Sequence, residues 1–432
     1  MDYQFRITHL KNLKTAILKH ETQIKEALYH DLGKSFQESY LTEIGVVLSE
    51  LSLFIKNLKK WMKPIKTKNS LAVFPAKSFL YPESYGRVLI IGPWNYPFQL
   101  IMMPLIGAIA AGNTVVIKPS EYAPFTESIL ITILTSVFTK NEVIIKTGDH
   151  LVSQALLSEK FDYIFFTGSP HVGKIVMEKA ALHLTPVTLE LGGKSPVIIK
   201  DTKNLELAVK RIVFGKLINA GQTCIAPDYV LIEEKNKNQF IKYFEKYVHL
   251  FYTQDPLTSN DYPKIINQKH HNRLTLMLKD EHIVFGGTYD EHKIAPTLLI
   301  AQPDSPSMKE EIFGPILPII TFSQIEEITN HIKEKPLALY LFTDNKTVEN
   351  YVIKNISAGG ITINDTLMHF SNHHLGFGGI GQSGMGKYHG KHSFDTFTHY
   401  KPVLKKSKKL DINAKYLRGD GKKEKLIKKI LK

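Results

Sequence analysis

Residues 218–230 read INAGQTCIAPDYV, and Cys224 within that stretch is the only cysteine in 432 residues. A thiolate is a strong nucleophile, but a thiol with a free pKa of about 8.5 is mostly protonated at neutral pH. The apolar spacing of Leu205, Ala208, Val209, Ile212 and Val213 predicts a helix ending at Gly221, which sets the thiol in the turn before Pro227. A helix C-terminus disfavours negative charge, so activation of Cys224 must come from other residues. Without it, the cysteine reads as a small buried hydrophobe.

Other candidates stand where apolar runs stop. Glu190 follows PVTL and precedes two glycines, a place for either a solvated carboxylate or an ion-pair partner. Asn95 lies in PWNYP, a turn. FTGSPHVGK spaces Gly168 and Gly173 across a strand-to-helix turn, where bare backbone can approach a pyrophosphate at a helix N-terminus, although the usual GxGxxG is absent. HLGFGGIGQSGMGKYHG lacks the GxxxxGK[ST] spacing and reads as close backbone packing around a cleft. The pairs His270–His271 and His373–His374 lack partners at metal-ligand spacing, so no metal site is expected.

The surrounding periodicity supplies the scaffold. The first sixty residues are helical in pattern, ending before Pro64. From Gly86 onward, GRVLIIG, TVVIK, EVIIK, YIFFT and PVTLE are short apolar strands separated by helices, the signature of a parallel, doubly wound sheet with ligands at its strands' carboxyl ends. A second alternation over residues 195–370, including SPVIIK, YVLIEE and APTLLI, predicts another α/β lobe. The expected organisation is a dinucleotide-binding domain over 1–70 and 87–189 and a catalytic domain over 190–394. A small β bridging segment over 71–86 and 395–410 and a basic tail over 411–432 complete it.

Seven stretches in order, GPWNYP, VIKPSE, FTGS with VGK, LELGGKSP, INAGQTC, EEIFGP and SGMGKYHGKHSFDTFTH, resemble the aldehyde dehydrogenase superfamily, particularly its short class-3 and fatty-aldehyde branch. The resemblance covers residues 86–400. It implies that Cys224 attacks an aldehyde carbonyl, that the Asn95 amide and the Cys224 N–H hold the oxyanion, and that Glu190 activates water against the resulting thioester. It further implies a dinucleotide at Trp94, Thr167, Gly168, Ser169, Val172 and Gly173, with Lys118 and Glu121 at the adenosine ribose. Glu311 would contact the nicotinamide-side ribose and Phe313 the ring. Glu311 is also a candidate base, so the two carboxylates could exchange roles. Glu121 would repel a 2′-phosphate, which favours NAD, with NADP also open.

The implied reaction is NAD(P)-dependent oxidation of aldehydes, medium- or long-chain aliphatic or aromatic, to carboxylic acids. Glu190 argues against an acylating relative that uses coenzyme A. Cys224, Glu190 and Asn95 together argue against a non-catalytic binding protein on the same fold. Of the net charge of +14, the stretch 401–432 carries thirteen Lys or Arg against three acids, so the basicity is a tail and not a nucleic-acid face. In that tail Leu426, Ile427, Ile430 and Leu431 fall on one side of a short helix, as in a weak peripheral contact with a membrane surface, whereas the plainer reading is a solvated tail. The N-terminus lacks a signal-peptide pattern, no apolar run reaches the ~20 residues of a spanning helix, and a lone cysteine fits a reducing compartment, so a cytoplasmic protein is expected. A homodimer is expected, in which LAVFPAKSFLYPESYG and DTFTHYKPVL form a small sheet extending the partner's catalytic-lobe sheet.

Overall fold

The computed structural model describes residues 1–411, 416 and 421–431, apart from the side chains of Lys422, Lys423 and Leu426. Three sheets organise the chain. The first has six strands in the spatial order Gly384–Met385, Val187–Glu190, Tyr163–Thr167, Arg87–Ile91, Thr114–Lys118 and Val143–Ile145. All pair in parallel except the Gly384–Met385 edge, which is antiparallel to Val187–Glu190. From Arg87–Ile91 the chain winds outward through two strands on one side, then returns to Tyr163–Thr167 on the other. That reversal opens a crevice at the carboxyl ends of these two central strands, the place where such sheets bind ligands.

The second sheet has seven strands, in the order His282–Phe285, Thr297–Ile300, Ile316–Phe322, Tyr229–Glu233, Pro196–Ile199, Ala338–Phe342 and Gly360–Ile363. Only the His282–Phe285 edge runs antiparallel. Tyr229–Glu233 and Pro196–Ile199 are buried at every position, as a sheet covered on both faces demands. Ile65–Thr67, Ala76–Ser84 and Thr398–Lys406 form a third, antiparallel sheet, in which the two longer strands pair over nine residues as the sequence pattern suggested.

The helix Gln99–Ala111 is apolar on all sides because every one of its residues is buried. It lies between the six-stranded sheet, the N-terminal helices Tyr3–Lys19 and Gly45–Trp61, and the short helix Lys391–Thr396. The last approach is close: a Cβ at Gly107 would lie 2.9 Å from the Ser393 side chain and 3.0 Å from Phe397. Two aspartates near the N-terminus cap helices. Asp2 accepts from the Phe5 N–H, and Asp31, at a helix end, reaches over to accept from Phe125 and Thr126 at the start of Pro124–Val137.

One boundary differs from the sequence expectation. The helix before Cys224 runs Leu205–Leu217 and stops four residues short of Gly221. Asn219, Ala220 and Gly221 then take positive φ values of 52°, 50° and 75°. A left-handed backbone at two non-glycine residues costs roughly 1–2 kcal/mol each and persists only where neighbours impose it. Here the Asn219 N–H donates to Glu38 and its side-chain amide to the Asn95 and Gln222 carbonyls. At the other end of the chain, the tail forms a helix over Gly421–Leu431 against the Leu71–Val73 turn, with Ile427 and Ile430 half-buried. The expected apolar row also includes Leu426, whose side chain lies outside the described residues.

Substituting Gly107→Leu should destabilise the fold by about 1–3 kcal/mol, because the new side chain must displace Ser393 or Phe397. Urea unfolding checks it, and an unchanged midpoint would contradict the close packing.

Candidate active site

A cleft of about 730 Å³ opens at the crevice of the six-stranded sheet and is closed on its far side by the second lobe. Its walls bring together Trp94, Asn95, Thr167, Gly168, Ser169, Glu190, Cys224, Glu311 and Phe313. Trp94 and Asn95 follow the strand Arg87–Ile91. Thr167 to Ser169 end the strand Tyr163–Thr167, and Glu190 ends Val187–Glu190. Cys224 follows the left-handed turn of the other lobe by three residues and is half-buried.

The two lobes meet through hydrogen bonds. The Asn95 side-chain amide donates to the Gln222 carbonyl at 3.0 Å, and the Tyr96 hydroxyl pairs with Thr223 at 2.6 Å. These contacts bracket the residues on either side of the oxygen-binding position implied by the sequence, and Asn95 itself is 3% exposed. The Cys224 and Ile225 N–H groups point at the sulfur and favour its ionised form. Burial outweighs them, and the carboxylates Glu311 and Glu190 add to it, so the Cys224 thiol is pushed well above its ordinary range. The resting cysteine is therefore neutral.

The two carboxyls differ in their surroundings. Glu190 is 3% exposed, and neither of its oxygens has a hydrogen-bond partner. Burial alone pushes its pKa well above the carboxylate range. Glu311 receives a hydrogen bond from the Gly193 N–H, but burial and the neighbouring Asp228 push its carboxyl up to about 8 against the pull of that bond, Lys194 and Arg273. A Cβ at Gly192 would lie 2.1 Å from the Glu311 carboxylate, so bare backbone is what admits it.

Arg273, Lys194 and Asp228, which the sequence did not single out, hold this wall. Arg273 donates to the carbonyls of Glu311 at 3.4 Å and Ile312 at 2.5 Å, and pairs with Glu310 at 3.0 Å. Lys194 pairs with Asp228 and donates to the carbonyls of Ser307 and Glu310, each at 2.9 Å, while Asp228 accepts from the Ile312 N–H at 2.9 Å. Phe313 takes a φ of 51° and sets its ring edge-on to Trp94, 5.4 Å between centroids. His270 lies 5.0 Å from Trp94, its pKa lowered to about 4 by burial, with Arg273 and Lys269 adding to the shift. Their signal was the run of charge around the EEIFG segment, whose partners become visible only once the chain is folded.

Four expected cofactor residues stand apart from the cleft walls. Lys118 donates to Glu121 at 3.1 Å and to the Pro119 carbonyl at 2.7 Å, one strand outward from the crevice. Val172 and Gly173 lie in the helix Pro170–Ala181, where a Cβ at Gly173 would meet Leu191 at 2.7 Å. Ser169 caps that helix, accepting from the Val172 N–H at 3.4 Å, and its positive end faces the crevice. The Thr167 hydroxyl is buried there without a partner. An orphaned hydroxyl, a helix N-terminus and a glycine-walled carboxylate suit a dinucleotide. Among the described residues no group of His, Cys, Asp and Glu side chains is arranged to hold a metal ion.

The chain belongs to the aldehyde dehydrogenase family, whose sequence pattern it matches over residues 1–403. Its reaction is accordingly NAD(P)-dependent oxidation of aldehydes. It is 50% identical over 417 residues to the 4,4′-diaponeurosporen-aldehyde dehydrogenase of Staphylococcus aureus, covering 95% of this chain and 91% of that one. It is 46% identical over 411 residues to mouse aldehyde dehydrogenase family 3 member A2, covering 94% and 85%. The solved substrate-bound structure of Staphylococcus aureus AldH superposes with a TM-score of 0.97 at 48% identity, covering 100% of this chain and 95% of that one.

Two measurements follow from the electrostatics. Because the Cys224 thiol is neutral, its alkylation by iodoacetamide should rise about tenfold per pH unit from pH 7 to 9 without levelling; a plateau below pH 8 would contradict it. A buried carboxyl raised to about 8 binds a proton in the folded state that the unfolded chain has released, so it lowers stability as pH climbs from its ordinary value of 4.5 to 8. Glu311→Gln should flatten that decline in thermal melts across pH 5–8.5.

Proposed function

We propose that this enzyme oxidises aldehydes through a covalent Cys224 adduct and hydrolyses the product with Glu190 as general base. The observation that carries it is the buried, unpartnered Glu190 carboxyl in the same cleft as the lone thiol. Cys224 loses its proton to a carboxylate and its sulfur attacks the carbonyl carbon, while the C=O electron pair moves onto oxygen. The Asn95 amide and the Cys224 N–H hold that oxyanion, and each such donor contributes about 10²- to 10³-fold in rate. When bound, a nicotinamide dinucleotide supplies the hydride acceptor that converts the adduct into a thioester. Thr167, Gly168, Ser169 and Glu311 would hold it, with Trp94 and Phe313 walling the ring side. Lys118 and Glu121, with Val172 and Gly173, serve its adenosine end. Glu190 then takes a proton from water, the water oxygen bonds the thioester carbon, and the thiolate departs.

A second reading concerns the first proton. Of the two carboxyls that raise the Cys224 pKa, Glu311 has the larger effect and titrates near 8, which suits a base for the thiol. The Gly193 bond anchors it, so Glu190 remains the base for water. Glu121 favours NAD over NADP.

Medium- or long-chain aliphatic or aromatic aldehydes fit the apolar wall of Trp94, Leu100 and Phe313. The bridging sheet, 65–84 with 398–406, and the open edge strand Gly360–Ile363 support a homodimer in which one sheet extends the other. Any lipid contact of the basic tail would be peripheral and held by charge, hence weak and released by salt. A single cysteine that must stay reduced to act suits the cytoplasm.

NADH formation from a graded aldehyde series tests the reading, with NAD and NADP in parallel. Cys224→Ala should abolish turnover, and Glu190→Gln should give one burst per site and then stall. Full activity in Cys224→Ala would overturn the mechanism, and loss of the burst in Glu311→Gln would assign thiol deprotonation to Glu311.

A further inference from the structure

Residues 34–43 take no part in the chemistry just described, yet they carry three charged side chains withdrawn from water. Lys34 and Glu43 have no exposed surface and Glu38 has 9%. The backbone here widens into a single π turn, Tyr40–Ile44, which directs Glu43 inward. The Lys34 ammonium donates to Glu43 Oε1 at 2.6 Å and to the Asn95 carbonyl at 2.9 Å, and lies 3.9 Å from the Tyr96 ring centroid. Glu43 Oε2 accepts from the N–H groups of Phe98 and Gln99 at 2.9 and 3.1 Å, fixing the start of the helix that follows Asn95. From the other lobe, the Asn219 side-chain amide donates to the same Asn95 carbonyl at 2.8 Å, while Glu38 accepts from the Asn219 N–H at 2.7 Å.

A buried ion pair is seldom the most stable choice, since apolar residues of similar size avoid its desolvation; its use lies in fixing geometry. Both lone pairs of the Asn95 carbonyl are taken here by side chains from two different lobes. With the peptide plane held, the Asn95 side chain keeps only its own two torsions, and the Gln222 carbonyl fixes those at 3.0 Å. We propose that Lys34 and Asn219 form a two-donor clamp on the Asn95 carbonyl that aims the Asn95 side-chain amide at the Cys224 turn, making both of them positioning residues for carbonyl attack. This rests on the reading of Asn95 as an oxyanion donor. A displacement near 1 Å at a reacting centre can cost on the order of a hundredfold in rate, so a clamp far from the sulfur has leverage on it.

The test is a set of mutant cycles on the full-length enzyme. Lys34→Met/Glu43→Gln removes both charges while the glutamine oxygen keeps the helix cap, and Glu38, which burial pushes up to about 7, can take up a proton. Asn219→Gly removes the second donor and still accepts the positive φ. Each should lower kcat by about tenfold or more with NAD affinity unchanged within about twofold, and neither should lower it further in an Asn95→Ala background. Wild-type kcat in both variants, or losses that multiply with that of Asn95→Ala, would overturn the clamp. Should the double variant fail to melt cooperatively, Asn219→Gly decides alone. Full activity in Asn95→Ala would overturn the oxyanion reading and the clamp together, whereas a large loss there with no effect from the clamp variants overturns only the clamp.

Discussion

A hydrogen bond from the Asn95 side chain to the Gln222 carbonyl joins the two lobes at the point where chemistry is to occur. One partner follows the central strand of the six-stranded sheet, and the other precedes the cysteine by two residues. The surroundings of the Asn219 turn hold these two turns in one relative position. The left-handed run at Asn219–Gly221 is strained, and its strain is balanced by bonds to Glu38, Asn95 and Gln222 instead of by a following helix. The opposite wall is held separately, by Arg273 and by the Lys194–Asp228 pair, which fix the carbonyls and N–H groups of 310–312. The site thus rests on two independent networks, one for the nucleophile and one for the Glu311 wall.

Electrostatics in this cleft run against the nucleophile. Burial and two carboxyls favour the protonated thiol, and the N–H groups of Cys224 and Ile225 only partly oppose that. A neutral resting thiol is protected from adventitious oxidation, which acts on thiolates. In the mechanism proposed above, it becomes an attacker when a neighbouring carboxylate removes its proton. The ionisation of Cys224 is thus tied to that of Glu311 and Glu190, whose negative charge raises its pKa.

Much of this was legible in the chain. Short apolar strands between helices announced the doubly wound sheet, and the rule that ligands gather at strand ends placed Asn95, Thr167 and Glu190 before any coordinates. The lone cysteine and its flanking residues were visible as a motif. What sequence could not give was set by contacts distant along the chain. The end of the helix before Cys224 was misplaced by four residues, because the helical apolar spacing continues through Leu217 while the backbone there is turned by Asn95 and Glu38, more than a hundred residues away. Nothing in the sequence singled out Lys34, Glu38 and Glu43, since burial of a charge leaves no periodic mark. Lys118 and Glu121 read as separate contacts, whereas they bond to each other.

The two-residue strand Gly384–Met385 returns from the second lobe and pairs with Leu189 and Glu190 on the edge of the first sheet, with the Leu191 N–H bonded to the Ser383 carbonyl beside it. The polypeptide is thereby stitched back through its own seam at the buried Glu190. Parting the lobes along this seam would first have to unzip those backbone bonds.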